Sequence, residues 1–142
     1  MSPIVIVGSG LAGYSAAREL RKLDKATPLV VVSRDHAGFY SKPMLSNALA
    51  SGKTAEMLVM KPVEKMIEEL GAVVRARTEA ARIDTNARTV HCIDGGVFAY
   101  RDLVLAVGAD PIRLPLAGDG AADVLSVNDL DDYARFAKRL EG

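Results

Sequence analysis

Two hydrophobic rhythms alternate along this chain. "PIVIV" (3–7) and "LVVV" (29–32) are short, unbroken apolar runs rich in β-branched residues, the pattern of buried strands. From Leu11 to Asp24, small or apolar residues instead recur at Gly13, Ala16, Ala17, Leu20 and Leu23, which is helical spacing. The pair "TP" (27–28) stops that helix before the second run. Strand, turn, helix and strand thus occupy residues 3–33 as one βαβ unit. A right-handed crossover then sets the two strands parallel in one sheet.

Farther on the rhythm loosens. "AGFYSKPMLSNALASGKTAEM" (37–57) reads as a loop carrying one short helix. "KPVEKMIEELG" (61–71) has proline near a helix start and glycine at its end, and "AVVRA" (72–76) follows as a strand. Three short strand-like pieces come next, "ARID" (81–84), "TVHCI" (89–93) and "VFAY" (97–100). The turn sequences "TNA" and "DGG" separate them, so a small antiparallel excursion is predicted. "LVLAVG" (103–108) returns to the buried-strand type. A last amphipathic helix is predicted from Asn128 to Leu140, with Asn128 as its cap, aspartates in its first turn and Lys138 and Arg139 at its end. The fold class expected is α/β, a Rossmann-like three-layer arrangement around a parallel sheet with a small antiparallel β excursion.

Composition narrows the function classes. The 142 residues are 49% hydrophobic and 25% charged, enough for one ordinary globular domain with a real core. Eighteen basic and eighteen acidic residues balance, so charge makes no case for nucleic acid or an anionic membrane as a partner. Nothing approaches the ~18 consecutive apolar residues of a membrane span, and no signal peptide is readable. One cysteine, Cys92, cannot make an internal disulfide or a thiolate metal cluster, and a reducing cytoplasm is the expected setting.

The chemistry concentrates at "VIVGSGLAGYSAARELRKL" (5–23), where Gly8, Gly10 and Gly13 stand between strand and helix. Glycine in a helix costs roughly 0.5–1 kcal/mol relative to alanine, so something must compensate. Gly8 closes the strand in a tight turn, Gly10 removes a side chain that would block a close-approaching ligand, and Gly13 lets helix and strand pack closely. The helix start then offers free N–H groups and about half a positive charge to a pyrophosphate. Glycines can also serve merely to make a tight turn, but this motif sits between the right elements for dinucleotide binding. The acid that usually holds the adenosine ribose lies about 20 residues on, at the end of the second strand. Here that strand ends "VVVSRDH", with Ser33 in the acid's place and Asp35 two residues later. Either Ser33 and Arg34 meet the adenosine end, or Asp35 reaches back; Arg34 alone would suit a 2′-phosphate.

Four stretches, "GSGLAGYSAARELRKLDKATPL", "YSKPMLS", "LVLAVGADPIRLP" and "VNDLDDYARF", resemble the N-terminal part of the rubredoxin reductases, a group of FAD-dependent pyridine nucleotide oxidoreductases. The resemblance covers essentially the whole chain, and "YSKPMLS" is its most specific element. It implies FAD rather than NAD at the first glycine turn. Gly8, Gly10 and Gly13 match the motif glycines, and Ser9, Gly10, Leu11 and Ala12 match the turn that faces the FAD pyrophosphate. Ser33, Arg34 and Asp35 fall at the adenosine end. Lys42 matches a lysine that contacts the cofactor, with Pro43 as its packing neighbour. Ala80 matches the position whose backbone addresses the adenine. Ala106 and Gly108 belong to "AVG", which matches an "ATG"-like segment after the last strand of the FAD domain; Val107 departs from the threonine usual there.

The remaining reactive residues have plainer readings. His36 is expected to be solvated in a polar loop, and Cys92 to be a small core residue. No metal site is expected, because no histidines or acids show ligand spacing, and no residue is assigned a catalytic role. The resemblance implies an enzyme that passes electrons from NADH through FAD to rubredoxin; flavorubredoxin or ferredoxin reductase, or a nucleotide-binding module without catalysis, are alternatives. Complete enzymes of this kind carry a second glycine motif for NADH, and this chain has one such turn. Residues 1–113 are therefore read as the N-terminal part of an FAD-binding domain, and 114–142 as a connection toward an NADH domain beyond. A piece of this kind is expected to be inactive alone and to self-associate through exposed apolar surface.

Overall fold

In a computed structural model, which describes residues 1–141, the apolar runs assemble one parallel sheet. β1 (Ile4–Val7) pairs with β2 (Leu29–Val32), residue 4 opposite 29 through residue 7 opposite 32. β3 (Val73–Arg75) adds to the outer side of β2, and β7 (Asp102–Leu105) pairs in parallel with β1, giving the order β3-β2-β1-β7. Between them in the chain, β4 (Ala80–Asp84), β5 (Thr89–Cys92) and β6 (Val97–Ala99) form the antiparallel excursion as a separate three-stranded sheet.

The two-residue period of the strands decides the layers. Ile4, Ile6, Leu29 and Val31 face α1 (Leu11–Leu23) and α3 (Val63–Leu70), where they pack with Tyr14, Ala17, Met66 and Leu70. Val5, Val7 and Val32 face the other way and pack with Val90 and Cys92 of the antiparallel sheet. Such strands have no polar face, which is why they read as continuous apolar runs. Fully burying a side chain of this size is worth roughly 1.5–3 kcal/mol.

Local chemistry ends each helix. α3 starts after Pro62 and stops at Gly71, which takes the left-handed conformation (φ +51°) natural to glycine at that place. At the end of α1, one Asp24 carboxylate oxygen accepts the Ala26 and Thr27 backbone N–H groups, each at 2.9 Å, and the other accepts the Thr27 hydroxyl at 2.5 Å. These bonds, the hydroxyl's first, pull the Asp24 pKa down to about 2.

Two features differ from expectation. β7 carries an apolar sequence but lies at a sheet edge, with β1 as its only neighbour, so Leu105 is exposed. The last helix, α4 (Leu130–Arg139), is capped by Asp129 rather than Asn128. The Asp129 side chain accepts the Asp132 N–H at 2.8 Å, while the Asp132 carboxylate reaches back to the Asn128 N–H at 2.9 Å. The two bonds satisfy two backbone donors, a variant of the capping box in which the second donor belongs to the residue before the cap.

The chain divides into two compact units. The first comprises Met1–Tyr40 and Val59–Gly108 and holds both sheets with α1 and α3. The second comprises Ser41–Leu58 and the chain from Ala109 onward. It contains a 3-10 turn at Lys42–Met44 running into α2 (Leu45–Ala48), a second at Glu56–Leu58, a third at Asp119–Asp123, and α4. Within it the Tyr133 hydroxyl donates to the Lys53 carbonyl at 2.7 Å, and Arg139 reaches the Asp123 carbonyl at 3.5 Å. Among the described residues, no helix is long and apolar enough to cross a membrane.

Candidate functional site: the glycine turn and the β2 end

The three glycines do different work. Gly8 has φ +112°, and a Cβ there would lie 2.0 Å from the Ala106 carbonyl oxygen. At Gly13 a Cβ would lie 1.9 Å from the Gly8 carbonyl oxygen. Both contacts are with backbone, so Gly8 and Gly13 are required by the close approach of β7, the turn and α1. At Gly10 nothing lies within 4 Å of such a Cβ, and its backbone (φ −70°, ψ −171°) is open to any residue. The chain itself therefore gives no steric reason for glycine at position 10.

Around Gly10 the backbone is laid bare. Gly10, Leu11 and Ala12 are exposed, and no side chain caps α1. The Tyr14 N–H is the donor to the Gly10 carbonyl, at 3.0 Å, which leaves the preceding helical N–H groups without an intrahelical acceptor. An open place beside unpaired donors at the positive end of a 13-residue helix suits a pyrophosphate. On this ground the residues present fit a dinucleotide.

Beside the turn, the end of β2 is wired to it. The Ser9 and Ser33 hydroxyls lie 2.6 Å apart and both side chains are buried. Asp35 folds back, its Oδ1 accepting from Ser33 at 2.7 Å, Ser9 at 3.1 Å and the Ala37 N–H at 2.8 Å. Arg34 between them is exposed. The Ser33 backbone is held on both sides, its N–H by the Arg75 carbonyl at 2.9 Å and its carbonyl by the Thr78 N–H at 2.8 Å. Ala37 takes a left-handed φ of +57°, unusual for a residue with a Cβ. The Tyr14 hydroxyl donates to its carbonyl from inside the core. Burial, reinforced by the Asp35 charge, pushes the Tyr14 pKa up to about 12.

The structure thus brings Gly8, Ser9, Gly10, Leu11, Ala12, Gly13, Ser33, Asp35 and Ala106 into one neighbourhood. Ala106 closes it by donating its N–H to the Val7 carbonyl at 2.8 Å. Gly108 lies two residues farther, at φ +70° with open space around it. Ala80 begins β4 opposite Cys92, next to a register irregularity, and packs against the cluster that contains Val32. Lys42 and Pro43 belong to the second unit. There the exposed Lys42 donates to the Asn128 side-chain oxygen at 3.2 Å, and the Asn128 amide donates to the Ala109 carbonyl at 3.1 Å.

Two residues take places that polarity alone did not indicate. His36 is not simply solvated: its Nδ1 accepts the Gly38 N–H at 2.9 Å, so its neutral form carries the proton on Nε2. That Nε2 is the one buried side-chain N or O without a partner among the described residues. Phe39 sits edge-on to Tyr14, with the Arg18 guanidinium 4.5 Å from its ring centre and Arg18 paired to Glu69 at 2.6 Å. Alternation on its strand did place Cys92 correctly, in the core, where burial pushes its thiol pKa up.

The family model described as pyridine nucleotide-disulphide oxidoreductase matches residues 2–142. The chain is 48% identical over its full length to a rubredoxin-NAD(+) reductase of Alcanivorax borkumensis, covering 37% of that protein. It is 36% identical over 92% of its length to a nitric oxide reductase FlRd-NAD(+) reductase of Vibrio vulnificus, covering 34% of it. Its fold is similar to that of the NADH:rubredoxin oxidoreductase from Clostridium acetobutylicum, with a TM-score of 0.77 at 23% identity over 99% of this chain and 36% of that one. The chain spans just over a third of the length of the curated relatives it matches.

Proposed function

The chain belongs to the pyridine nucleotide-disulphide oxidoreductase family, whose members are FAD-dependent, and from that premise we propose that it is the FAD-binding part of an NADH-dependent reductase that delivers electrons to rubredoxin. The observation that carries the reading is the open place at Gly10, the one motif glycine whose missing Cβ faces open space rather than backbone. The 48% identity to a rubredoxin-NAD(+) reductase supports the choice of acceptor.

Each part of the chain has a role in this reading. Gly8 and Gly13 let β1, β7 and α1 close up, so that Ser9, Gly10, Leu11 and Ala12 present backbone N–H groups to the pyrophosphate. Ser33, Arg34 and Asp35 receive the adenosine end, and the Ala80 backbone addresses the adenine. Lys42, placed by Pro43, brings a cation toward the cofactor, where it favours negative charge on phosphate or flavin. Ala106 and Gly108 flank the turn from the β7 side. Bound FAD supplies the redox chemistry between NADH, a hydride donor, and a one-electron carrier, while the protein supplies orientation and electrostatics. Residues 1–113 build the FAD-binding part, and the chain from 114 leads toward an NADH-binding domain.

The region "AGFYSKPMLS" has no cysteine, so this stretch supplies no thiol pair to relay electrons from the cofactor. Flavorubredoxin is the second acceptor to consider, favoured by the 36% identity to the Vibrio vulnificus enzyme. The neutral charge balance and the lone cysteine support a cytoplasmic setting. Ile112 and Leu114, 90% and 71% exposed, form the apolar surface through which this stretch of chain self-associates.

The decisive experiment is absorbance and mass spectrometry of the cofactor retained by the purified protein, followed by titration with FAD. Flavin absorbance with saturable FAD binding is expected; saturable binding of NAD without FAD would refute the reading. With one glycine turn in these residues, the FAD-loaded chain should not bleach with NADH under anaerobic conditions faster than free FAD does. Rapid bleaching would reveal a nicotinamide site within it.

A further inference from the structure

We propose that Asn128, the residue before the α4 cap, is a positioning residue that holds the Lys42 ammonium for an anionic cofactor without neutralising its charge. This rests on the reading above that Lys42 meets FAD, and adds a residue that acts only through Lys42. Sequence pattern makes Asn128 the cap of the last helix, but Asp129 does that work, its side chain accepting the Asp132 N–H at 2.8 Å. The Asn128 side chain is released for another task.

That task joins stretches of the second unit far apart in the chain. Asn128 Oδ1 accepts from Lys42 Nζ at 3.2 Å, 86 residues away, and Nδ2 donates to the Ala109 carbonyl at 3.1 Å, 19 residues away. Its backbone N–H is held by the Asp132 carboxylate at 2.9 Å. An ammonium only donates and a carbonyl only accepts. A side chain that serves both needs an acceptor and a donor on one branch point, which a primary amide supplies, and these partners fix which way round the amide lies. A carboxylate at 128 would instead turn an oxygen toward the Ala109 carbonyl.

Neutrality matters as much as reach. Residues 129, 131 and 132 are all aspartates, yet the residue that holds Lys42 is the amide between Val127 and Asp129. An amide takes one of the three ammonium N–H donors and removes no charge. Two donors and the whole positive charge are left for an anionic group. The 3-10 turn at Lys42–Met44 already sets the Lys42 backbone, its carbonyl accepting the Leu45 N–H. Its flexible stem is what the backbone does not set, and freezing such a side chain on binding costs about two- to tenfold in affinity. Asn128 meets that cost before the cofactor arrives.

The test uses the whole chain and begins without cofactor. Heteronuclear NMR of the lysine ammonium groups reads their mobility: Lys42 should be more ordered than the exposed Lys25, and Asn128→Ala should bring it to the Lys25 level. Quenching of flavin fluorescence then reads FAD affinity. Lys42→Met should weaken it about tenfold or more, the scale of a hydrogen bond to a charged group. Asn128→Ala should weaken it about two- to tenfold. Asn128→Asp, which keeps an acceptor for Lys42 but neutralises it, should weaken FAD at least as much although Lys42 stays ordered. In a Lys42→Met background, Asn128→Ala should change affinity by less than about twofold, whereas a merely structural Asn128 would weaken binding there as before. Lys42 as mobile as Lys25 in the wild type overturns the proposal, whichever variants fold. So does an Asn128→Ala protein with wild-type affinity, or a loss that persists without Lys42. Unchanged affinity in Lys42→Met would instead overturn the place of Lys42 in the FAD reading, and failure of wild type to bind FAD would overturn that reading as a whole.

Discussion

Exchanging glycines 10 and 13 separates ligand from fold. In Gly13→Ala the new Cβ would start 1.9 Å from the Gly8 carbonyl oxygen, where ordinary contact begins near 3.4 Å, so α1 must retreat by about 1.5 Å. Both partners are backbone, and no rotamer relieves the contact. Helix propensity favours alanine by roughly 0.8–1.0 kcal/mol. Overpacking a close-packed site costs about 1–3 kcal/mol or more. The backbone clash puts this site at or above the top of that range, so net destabilisation of about 2 kcal/mol or more is expected. In Gly10→Val the side chain enters open space on an extended backbone. Poorer capping costs about 0.5–1 kcal/mol, and the reduced freedom of the unfolded chain returns about 0.4–1 kcal/mol. Stability should stay within about 1 kcal/mol of wild type. The pyrophosphate, in contrast, loses its place against the α1 N–H groups. Hydrogen bonds to charged groups are worth about 1.5–3 kcal/mol each, so losing two weakens FAD binding by at least about a hundredfold. Urea denaturation followed by circular dichroism reads the first quantity, and quenching of flavin fluorescence reads the second. A Gly13→Ala protein more stable than wild type, or a folded Gly10→Val protein that keeps wild-type FAD affinity, would refute the reasoning.

Three further outcomes follow from named groups. Because Tyr14 has its pKa raised from 10.0 to about 12, the folded protein holds a proton the unfolded chain releases, and stability should fall as pH rises between these values. Tyr14→Phe should flatten that fall in alkaline denaturation curves and, by losing the bond to the Ala37 carbonyl, weaken the fold at neutral pH by about 1 kcal/mol. For Asp24 the sign is opposite: its pKa is lowered to about 2, so its contribution is present above the ordinary carboxylate range and lost as pH falls toward that value. Asp24→Ala should lower Tm at pH 7, and the difference from wild type should shrink as pH falls through about 2 in thermal melts. Cys92, buried with its thiol pKa raised, should react with Ellman's reagent only after denaturation, and Cys92→Ser in the complete reductase should keep its turnover.

Local pattern was enough to read β1, α1, β2 and the glycine turn, because each is written in consecutive residues: a β-branched run, a helical spacing, and glycines where chain direction reverses. It was enough, too, for the antiparallel excursion, whose turns "TNA" and "DGG" are short-range chemistry. What each glycine is for was decided only in three dimensions. Gly8 needs its missing Cβ because Ala106, nearly a hundred residues on, lies beside it once β7 pairs with β1, and Gly13 because α1 lies against the turn. Only with those contacts accounted for does Gly10 stand out as the position open to a ligand. That the Asp35 carboxylate folds back to hydroxyls 2 and 26 positions away was likewise beyond the sequence. The inward turn of the His36 ring and the edge position of the apolar β7 share that cause. Residue type records how polar a side chain is, whereas burial depends on which distant segments the fold brings against it.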